Sequence, residues 1–283
     1  MKILVFGKTG QVATCLQDQA DVTALGRDQA DLTHPDQCAA IIASTDAEII
    51  INAAAYTAVD QAETDTDTAE LVNHTAVAAM AKAAAARNIP FLHISTDYVF
   101  PGGGSEPWNT DAKTGPLGVY GATKLRGEQA IVAAGGPFAI LRTSWVFSAH
   151  GNNFVKTMLR LGKDRDALTI VGDQIGGPTA AADIAATLLD MASQIHSGDA
   201  SSGIYHYSGK QDCSWADFAT EIFAQAGITC DVTPIPTKDY PTPATRPLNS
   251  RLNCATLQRD FGIRRPEWRT SLTRVLKDLG ELT

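Results

Sequence analysis

Cysteine and long apolar runs are both scarce in this chain of 283 residues. Its five cysteines are scattered, odd in number and without a CxxC pair, which argues against a disulfide framework and favours a reducing compartment. No run is long enough to span a bilayer, and the apolar stretch at residues 3–6 is too short for the core of a signal peptide. We therefore expect a cytoplasmic protein with no membrane partner.

Basic residues are outnumbered by acidic ones. The chain has 23 Lys and Arg against 31 Asp and Glu, a formal net charge of −8, which argues against nucleic acid as the main partner. Its length allows one large domain, or one domain with a smaller one, and a sizeable core. A local basic pocket for phosphates stays compatible with this charge.

Short apolar runs alternate with alanine-rich segments in the first half of the chain. The predicted strands are residues 3–6, 22–25, 48–52, 90–96 and 138–147. The predicted helices are residues 11–18, 35–44, 68–87 and 120–134. Continuous apolar strands that alternate with helices are typical of a parallel sheet covered on both faces. We predict an α/β fold with a Rossmann-type, doubly wound parallel sheet.

The second half changes character near residue 151. Predicted helices at 153–161, 179–195 and 214–226 mix with short strands, and the proline-rich stretch 233–247 predicts an ordered surface loop or a wall of a site. We predict a dinucleotide-binding domain over residues 1–150. A smaller, mixed α/β domain over residues 151–283 would bind the substrate, with some segments returning to the first domain.

The first predicted strand leads into a turn that contains two glycines, Gly7 and Gly10. Gly7 permits the tight turn, Gly10 lets backbone amides approach a pyrophosphate, and Ala13 lets the following helix pack closely. The pyrophosphate would lie at the N-terminus of the helix that begins at Gln11. This order of strand, turn and helix favours a dinucleotide site over a simple turn.

The end of the second strand indicates which dinucleotide binds. Gly26 lies about where an NAD site carries an acid, and Arg27 follows it. We predict NADPH, with Arg27 on the 2′-phosphate. Asp28 is one residue away and leaves NADH as a possible, weaker cofactor. The alternative is an ordinary exposed arginine.

Small residues follow the third strand. Ala53, Ala54 and Ala55 would let a flat cofactor lie close to the backbone. An apolar strand end explains these alanines but leaves the adjacent Tyr56 and Thr57 unexplained. All five residues are therefore candidates for the cofactor groove.

Tyr120 and Lys124 are spaced i, i+4 and share one face of a predicted helix. The ordinary tyrosine pKa is about 10, and a cation beside the phenol would lower it toward neutral pH. Lys124 would also bond the nicotinamide ribose. Such a pair is otherwise a solvated helix face, but the upstream dinucleotide turn and a strand that ends in Ser95-Thr96 favour catalysis.

With these residues in hand, the chain resembles the extended short-chain dehydrogenases/reductases, and among them the dTDP-4-dehydrorhamnose reductases. The segments that carry the resemblance are FGKTGQV, NAAAYTAVD, STDYVFPG, PLGVYGATKLRGE, LRTSWVF, GNNFVKTMLRL, DQIGGPT and YPTPATRPLNSRLN. The resemblance implies hydride transfer from NADPH to the keto carbon of dTDP-4-dehydro-6-deoxy-L-mannose. The product would be dTDP-L-rhamnose, in the last step of its synthesis.

The resemblance also implies catalytic and cofactor residues. Thr96, Tyr120 and Lys124 would be the catalytic set, in which Tyr120 protonates the forming alkoxide and Thr96 bonds the carbonyl oxygen. The matching cofactor positions are Gly10, Gln11, Val12, Asp31, Leu32, Ala55, Tyr56 and Thr57.

Substrate contacts are implied in the same way. Asp97 and Trp145 match substrate-contacting positions. Asn153 and Arg246 are candidates for the base or the diphosphate, since arginine binds phosphate with a planar fork of donors. A helix cap at Asn153 and a plain surface charge at Arg246 are the alternatives.

Two positions depart from some members of the family, which dimerise through Mg²⁺ held by carboxylates. Cys15 and Ala182 stand at those positions here. A thiol is a poor ligand for a hard cation that prefers oxygen. We predict no metal and no metal-bridged dimer, and expect a monomer or a weak homodimer.

Other functions remain open at this point. A 4,6-dehydratase of the same superfamily would carry Asp-Glu after the threonine, whereas this chain has Asp97-Tyr98. A related dTDP- or UDP-4-keto-sugar reductase or epimerase is a second alternative. A non-catalytic NADP-binding regulatory subunit is a third, although a regulator needs no proton donor such as Tyr120.

Overall fold

The computed structural model describes residues 1–200 and 202–282. Its strands are, in chain order, β1 (Ile3–Phe6), β2 (Thr23–Leu25), β3 (Ile49–Asn52), β4 (Phe91–Thr96), β5 (Phe138–Thr143), β6 (Val146–Phe147), β7 (Ala167–Val171), β8 (Ile175–Gly176), β9 (Thr179–Ala180), β10 (Gly203–His206), β11 (Cys213–Ser214), β12 (Asp231–Ile235) and β13 (Asn249–Ser250).

The helices alternate with these strands. They are α1 (Gln11–Gln19), α2 (Pro35–Ser44), α3 (Val59–Ala62), α4 (Thr66–Glu70), α5 (Ala76–Ala86), α6 (Val119–Ala134), α7 (Phe154–Asp164), α8 (Ala181–Ser197), α9 (Trp215–Ala226), α10 (Ala255–Phe261) and α11 (Trp268–Asp278). Among the described residues, none of these helices combines the length and the apolar character needed to cross a membrane.

A six-stranded sheet dominates the first half, in the order β10-β5-β4-β3-β1-β2. Every pairing in it is parallel. Strand β1 lies between β2 and β3, so the winding direction reverses there, and ligands bind at such a switch point beyond the carboxyl ends of the strands. The predicted doubly wound α/β fold is confirmed.

Side-chain alternation explains why the central strands are apolar throughout. In β1, Ile3 and Val5 join the core under α1 and α8, whereas Leu4 and Phe6 join the core under α2 and α5. Both faces of the strand are therefore buried, and no position along it favours a polar residue.

A π-helical turn, Leu71–Thr75, joins α4 to α5 within the segment predicted as one helix. The turn approaches α6 closely, since a Cβ added at Gly127 would lie 2.3 Å from the Asn73 carbonyl oxygen. π-turns inside helices occur often at functional sites. Here the turn brings the buried Asn73 toward the sheet edge.

The second half forms smaller sheets over its own core. Strand β12 pairs with β7, and β8 lies between β11 and β13. Helices α7, α9 and α11 close around Phe218 and Trp268. Strand β10 and helix α8 instead join the main sheet. The division into two domains at residue 150 stays a prediction.

The proline-rich stretch differs in part from the predicted loop. Its first residues belong to β12, which pairs with β7 on one side only. Pro234 is tolerated there because the unpaired edge of the strand does not need a backbone N–H donor. A short 3-10 turn, Thr237–Asp239, and loop structure follow.

Candidate active site

The turn after β1 has the geometry that a dinucleotide needs. Gly7 has a φ of +110°, and a Cβ there would lie 3.2 Å from the Ala53 carbonyl carbon, so the turn requires glycine. Gly10 precedes α1, and a Cβ there would meet nothing within 4 Å. The space beside Gly10 at the start of α1 is therefore open, and the free N–H groups of a helix N-terminus attract an anion such as a pyrophosphate.

Three predicted groove residues lie around this turn. Val12 and Leu32 are buried in the core, so only their backbone can border a ligand. Gln11 Oε1 accepts hydrogen bonds from Ser148 Oγ at 2.8 Å and from Asn153 Nδ2 at 3.0 Å. The Gln11 side chain therefore ties α1 to the start of the second half.

Arg27 follows β2 and is exposed. Its Nε donates to Asp31 Oδ2 at 3.1 Å, and this contact together with the Thr33 N–H lowers the pKa of Asp31. Gly26 is buried, and a Cβ there would lie 2.5 Å from Asp28 Oδ1. Arg27 is the first basic residue after β2, and its predicted contact with a 2′-phosphate stays a prediction.

The segment after β3 is fixed by Asn73. Asn73 Oδ1 accepts from the Tyr56 N–H at 2.9 Å, and its Nδ2 donates to the Tyr56 carbonyl oxygen and to Thr123 Oγ1, both at 3.1 Å. Tyr56 Oη donates to Asp65. Ala53, Ala54 and Ala55 are partly exposed and Thr57 is exposed, so this edge is open beside the turn.

Thr96 and Tyr120 meet at the carboxyl end of β4. Thr96 ends the strand, and its hydroxyl donates to Asp97 Oδ1 at 3.1 Å while accepting from the Tyr98 N–H at 3.2 Å. Burial raises the pKa of Tyr120 to about 12, and a hydrogen bond with Thr96 acts in the opposite direction. The phenol therefore keeps its proton at neutral pH and can act as an acid.

Asp97 is a buried carboxyl with one free oxygen. Burial raises its pKa to about 6, against hydrogen bonds from Ser250 and Thr96 that lower it. Among the described residues, its Oδ2 has no hydrogen-bond partner. An unpaired buried acceptor is costly, which is the pattern of a group that waits for a donor such as a hydroxyl.

Tyr98 packs its ring edge-to-face against Tyr120, with 5.5 Å between the ring centroids. Burial raises the pKa of Tyr98 far above its usual range. A Cβ at Gly121 would lie 2.2 Å from the Tyr98 carbonyl oxygen. Glycine at 121 therefore lets the loop after β4 lie directly on α6, a requirement that the sequence analysis did not identify.

Lys124 is buried under this pair. Its Nζ donates to the Ile94 carbonyl oxygen at 2.7 Å and lies 2.9 Å from His93 Nε2. Burial lowers the pKa of Lys124 to about 8. The predicted lowering of the Tyr120 pKa by Lys124 does not occur in this arrangement, because burial dominates and neither hydrogen bond of Lys124 goes to the phenol.

Arg246 reaches the same region from the proline-rich loop. Its Nη2 donates to Asp60 Oδ2 at 2.7 Å, and Asp60 Oδ1 accepts from the Ala244 N–H at 3.1 Å. Arg246 Nη1 is buried without a partner among the described residues. The charges of Arg246 and Asp60 act in opposite directions on the pKa of Tyr98.

Trp145 interrupts the strand predicted over 138–147, leaving β5 and β6. It has a φ of +50°, a strained value for a bulky residue. Its ring stacks on that of Trp215, with 3.6 Å between the ring centroids. Phe154 packs in turn against Trp215, with 4.7 Å between their ring centroids. A Cβ at Gly176 would lie 2.9 Å from the Trp145 ring. The partly exposed ring can serve as a flat binding surface.

Asn153 caps α7. Its Oδ1 accepts from the Lys156 N–H at 3.2 Å, and its Nδ2 donates to Gln11 Oε1 and to the Ser148 carbonyl oxygen at 2.8 Å. The amide is thus fully used inside the protein. The helix-cap alternative describes Asn153 in this structure, and its predicted contact with the base or diphosphate stays a prediction.

Several site residues escaped the sequence analysis: Asn52, Asp60, His93, Asn73 and Trp215. A signal existed for two of them, because Asn52 ends the apolar strand β3 and His93 follows the apolar start of β4. The others reach the site through contacts that local spacing does not encode. Within residues 1–200 and 202–282, no cluster of three or more His, Cys, Asp or Glu could hold a metal.

Comparison with known families covers nearly the whole chain. The sequence model of one protein family, described as the RmlD substrate binding domain, matches residues 1–281.

Individual relatives agree with this match. The dTDP-4-dehydrorhamnose reductase of Sinorhizobium fredii is 44% identical over 286 residues, covering 98% of this chain and 97% of the relative. The enzyme of the same name from Escherichia coli K12 is 42% identical over 298 residues, covering 99% and 98%. A crystal structure of dTDP-4-dehydrorhamnose reductase from Bacillus anthracis with NADP superposes with a TM-score of 0.92 at 34% identity, covering 98% of this chain and 100% of that one.

Proposed function

This chain belongs to the RmlD substrate binding domain family, and from that premise we propose that it reduces the 4-keto group of dTDP-4-dehydrorhamnose with NADPH, giving dTDP-L-rhamnose. The observation that carries the proposal is that Thr96 and Asp97, at the carboxyl end of β4, lie close enough to Tyr120 on α6 for both to act on the pKa of its phenol. One carboxylate oxygen of Asp97 has no hydrogen-bond partner among the described residues.

Tyr120 is the proton donor. A carbonyl oxygen bound between the Thr96 hydroxyl and the Tyr120 phenol would receive the Tyr120 proton as it becomes an alkoxide. The Thr96 hydroxyl would hold that oxygen in position. Asp97 Oδ2 would accept from a sugar hydroxyl and so orient the ring.

The residues around the first turn fit a dinucleotide. Gly7 permits the tight turn, and the open space beside Gly10 would let the backbone approach a pyrophosphate. NADPH, when bound, supplies the hydride for the reduction. Arg27 would contact the 2′-phosphate, Lys124 the nicotinamide ribose, and the open edge at 53–57 the flat rings.

The second half would bind the nucleotide part of the substrate. Arg246 Nη1 has an unused donor, suited to a phosphate oxygen. The partly exposed Trp145 ring, just before the second half, would lie against the sugar or base.

Tyr98 separates this reaction from a dehydration. Elimination of water requires a base after the Asp, but position 98 holds a phenol whose pKa burial raises far above its usual range. It cannot act as a base at neutral pH.

The decisive experiment follows NADPH oxidation with dTDP-4-dehydrorhamnose made in situ from dTDP-glucose by the two preceding enzymes. Substrate-dependent oxidation with formation of dTDP-L-rhamnose supports the proposal. If the purified protein holds tightly bound NAD⁺ and interconverts sugar epimers, it is an epimerase and the proposed reductase function is wrong. We also place the protein in the cytoplasm, as a monomer or weak homodimer, which cell fractionation and light scattering test.

A further inference from the structure

An ion pair joins the two halves of the chain beside the catalytic helix. Arg246 comes from the proline-rich stretch, and its partner Asp60 lies in α3. Three residues after Asp60, Glu63 Oε1 accepts a hydrogen bond from the Val119 N–H at 2.8 Å, at the first residue of α6. The ion pair therefore lies near the end of α6 that carries Tyr120.

Asp60 contacts the proline-rich stretch at two points. Its Oδ2 accepts from Arg246 Nη2 at 2.7 Å, and its Oδ1 accepts from the Ala244 N–H at 3.1 Å. Ala244 is buried, so water does not readily replace this acceptor. One carboxylate thus holds both the guanidinium of Arg246 and the backbone two residues before it.

The chain after Arg246 is anchored to the loop that follows β4. Gly102 has a φ of +69°, and a Cβ there would lie 2.5 Å from Pro247 Cβ, so glycine lets Pro247 lie directly against this loop. The Asn249 N–H donates to the Gly102 carbonyl oxygen at 2.9 Å. The backbone on both sides of Arg246 is therefore fixed to the first half of the chain.

Stability does not account for this ion pair. The Asp60 side chain is 43% exposed and that of Arg246 is 19% exposed, and partly exposed ion pairs contribute little to the free energy of unfolding. Arg246 Nη1 is also buried without a hydrogen-bond partner among the described residues, which is unfavourable. A fixed guanidinium with one nitrogen occupied and the other free is instead suited to an anionic ligand such as a phosphate.

We propose that Asp60 is a positioning residue that fixes the Arg246 guanidinium for the diphosphate of the sugar nucleotide. The inference rests on the proposed function, in which Arg246 Nη1 donates to a phosphate oxygen. An arginine without a partner loses side-chain freedom when its ligand binds, whereas an arginine already paired with Asp60 loses less. Asp60 itself carries a negative charge and does not contact the phosphate, so it acts through Arg246.

Competition between Asp60 and the phosphate is the opposite arrangement. If the carboxylate occupied the place of the ligand, its removal would strengthen ligand binding. The two nitrogens of the guanidinium favour positioning, because Nη2 pairs with Asp60 while Nη1 stays free. The carboxylate and the phosphate then use different nitrogens and need not exchange.

Calorimetric titration of the full-length protein with dTDP tests the proposal. Arg246→Ala removes a charge-assisted hydrogen bond, so we expect dTDP to bind about tenfold more weakly or worse. In Asp60→Asn, one acceptor replaces two, so only one of the two contacts survives, and we expect dTDP binding to weaken about three- to tenfold. Unchanged or tighter binding of dTDP by Asp60→Asn would overturn the proposal.

The double variant separates positioning from an independent effect. If Asp60 acts through Arg246, adding Asp60→Asn to Arg246→Ala should cause no further loss of dTDP affinity. An equal loss in both backgrounds would show that Asp60 acts without Arg246 and would overturn the proposal. NADPH also carries a diphosphate, so it is titrated into the same variants. We expect its affinity to stay unchanged, and a loss for NADPH alone would assign the ion pair to the cofactor instead.

Asp183→Asn is the matched control. Asp183 Oδ1 accepts from Arg274 Nη2 at 2.7 Å, and this pair likewise joins two elements that are distant in sequence, α8 and α11. Neither residue belongs to the candidate site, so we expect the dTDP affinity of this variant to equal that of the wild type. A loss as large as that of Asp60→Asn would show that loosening any such ion pair weakens binding, and would overturn the positioning role.

The titrations separate this inference from the proposed function. If the wild type binds dTDP and the variants behave as expected, but no NADPH is oxidised with dTDP-4-dehydrorhamnose, the reductase function fails and the role of Asp60 stands. If NADPH is oxidised while Asp60→Asn leaves dTDP affinity unchanged, the reductase function stands and the role of Asp60 fails. Absence of dTDP binding by the wild type would overturn the inference outright.

Discussion

The candidate site combines two regions that are held by different forces. At the edge of the main sheet, Thr96 and Asp97 are buried and their positions are set by hydrogen bonds. Where the two halves meet, Trp145 of the first half and Trp215 of the second are partly exposed, and their positions are set by ring stacking. Hydrogen bonds in a buried network specify one geometry, whereas stacked rings tolerate replacement by other apolar groups. We expect the first region to control rate and the second to control binding.

The largest effect should come from removing the proton donor. Tyr120→Phe keeps the ring and its contact with Tyr98, so we expect cofactor binding to persist while kcat falls by about 10²–10⁴. Tyr98→Phe is the matched control, because its ring packs against Tyr120 but its phenol is not the proposed proton donor, and it should change kcat only a few-fold. Steady-state NADPH oxidation measures both, and comparable losses in the two variants would contradict the assignment.

The second prediction concerns how the buried Asp97 carboxyl changes the free energy of unfolding with pH. The pKa of Asp97 rises from 3.8 to about 6, so the folded state binds this proton more tightly than the unfolded state. Its stabilising contribution is fully present below about pH 4 and is lost as the pH rises through about 6. Two pKa units correspond to about 3 kcal/mol at neutral pH.

Asp97→Asn removes this dependence. The difference in unfolding free energy between the variant and the wild type should move in favour of the variant by about 3 kcal/mol between pH 4 and pH 7. Urea unfolding at a series of pH values measures it. A difference that does not change with pH would show that folding does not raise the pKa of Asp97. We also expect the Asp97→Asn variant to have a lower kcat than the wild type.

A smaller effect is expected at the cofactor end of the sheet edge. Arg27→Ala should raise the KM for NADPH about tenfold, since a hydrogen bond to a charged group contributes about 1.5–3 kcal/mol, and should leave the KM for NADH unchanged. Arg259→Ala is the matched control, because Arg259 is similarly exposed and pairs with a neighbouring Asp260. Equal changes for both cofactors would refute the 2′-phosphate contact.

The smallest effect should come from the aromatic region. Trp215→Leu keeps an apolar side chain under Trp145 but removes the stacking, which contributes about 0.5–1.5 kcal/mol. We expect the KM for the sugar nucleotide to rise a few-fold with kcat nearly unchanged. A fall in kcat as large as that of Tyr120→Phe would erase the distinction between the two regions.

The order of the elements could be predicted because it depends on local patterns, and the candidate catalytic positions, which stay a prediction, were chosen by local spacing. Apolar strands between helices indicated the parallel sheet, and the interval of four residues placed Tyr120 and Lys124 on one helix face. The glycines at 7 and 10 followed from the turn that they must form. Such patterns act within a few residues and need no knowledge of distant neighbours.

Tertiary structure alone decided which distant side chains meet. Strand register brings Asn52 to His93, and the path of the proline-rich loop brings Arg246 to Asp60. These contacts set the partners of Lys124 and leave one donor of Arg246 free. The sequence by itself determined the fold class and the reactive residue types. The hydrogen-bond partners and the burial that shifts each pKa depend on contacts across the sheet, which no local pattern encodes.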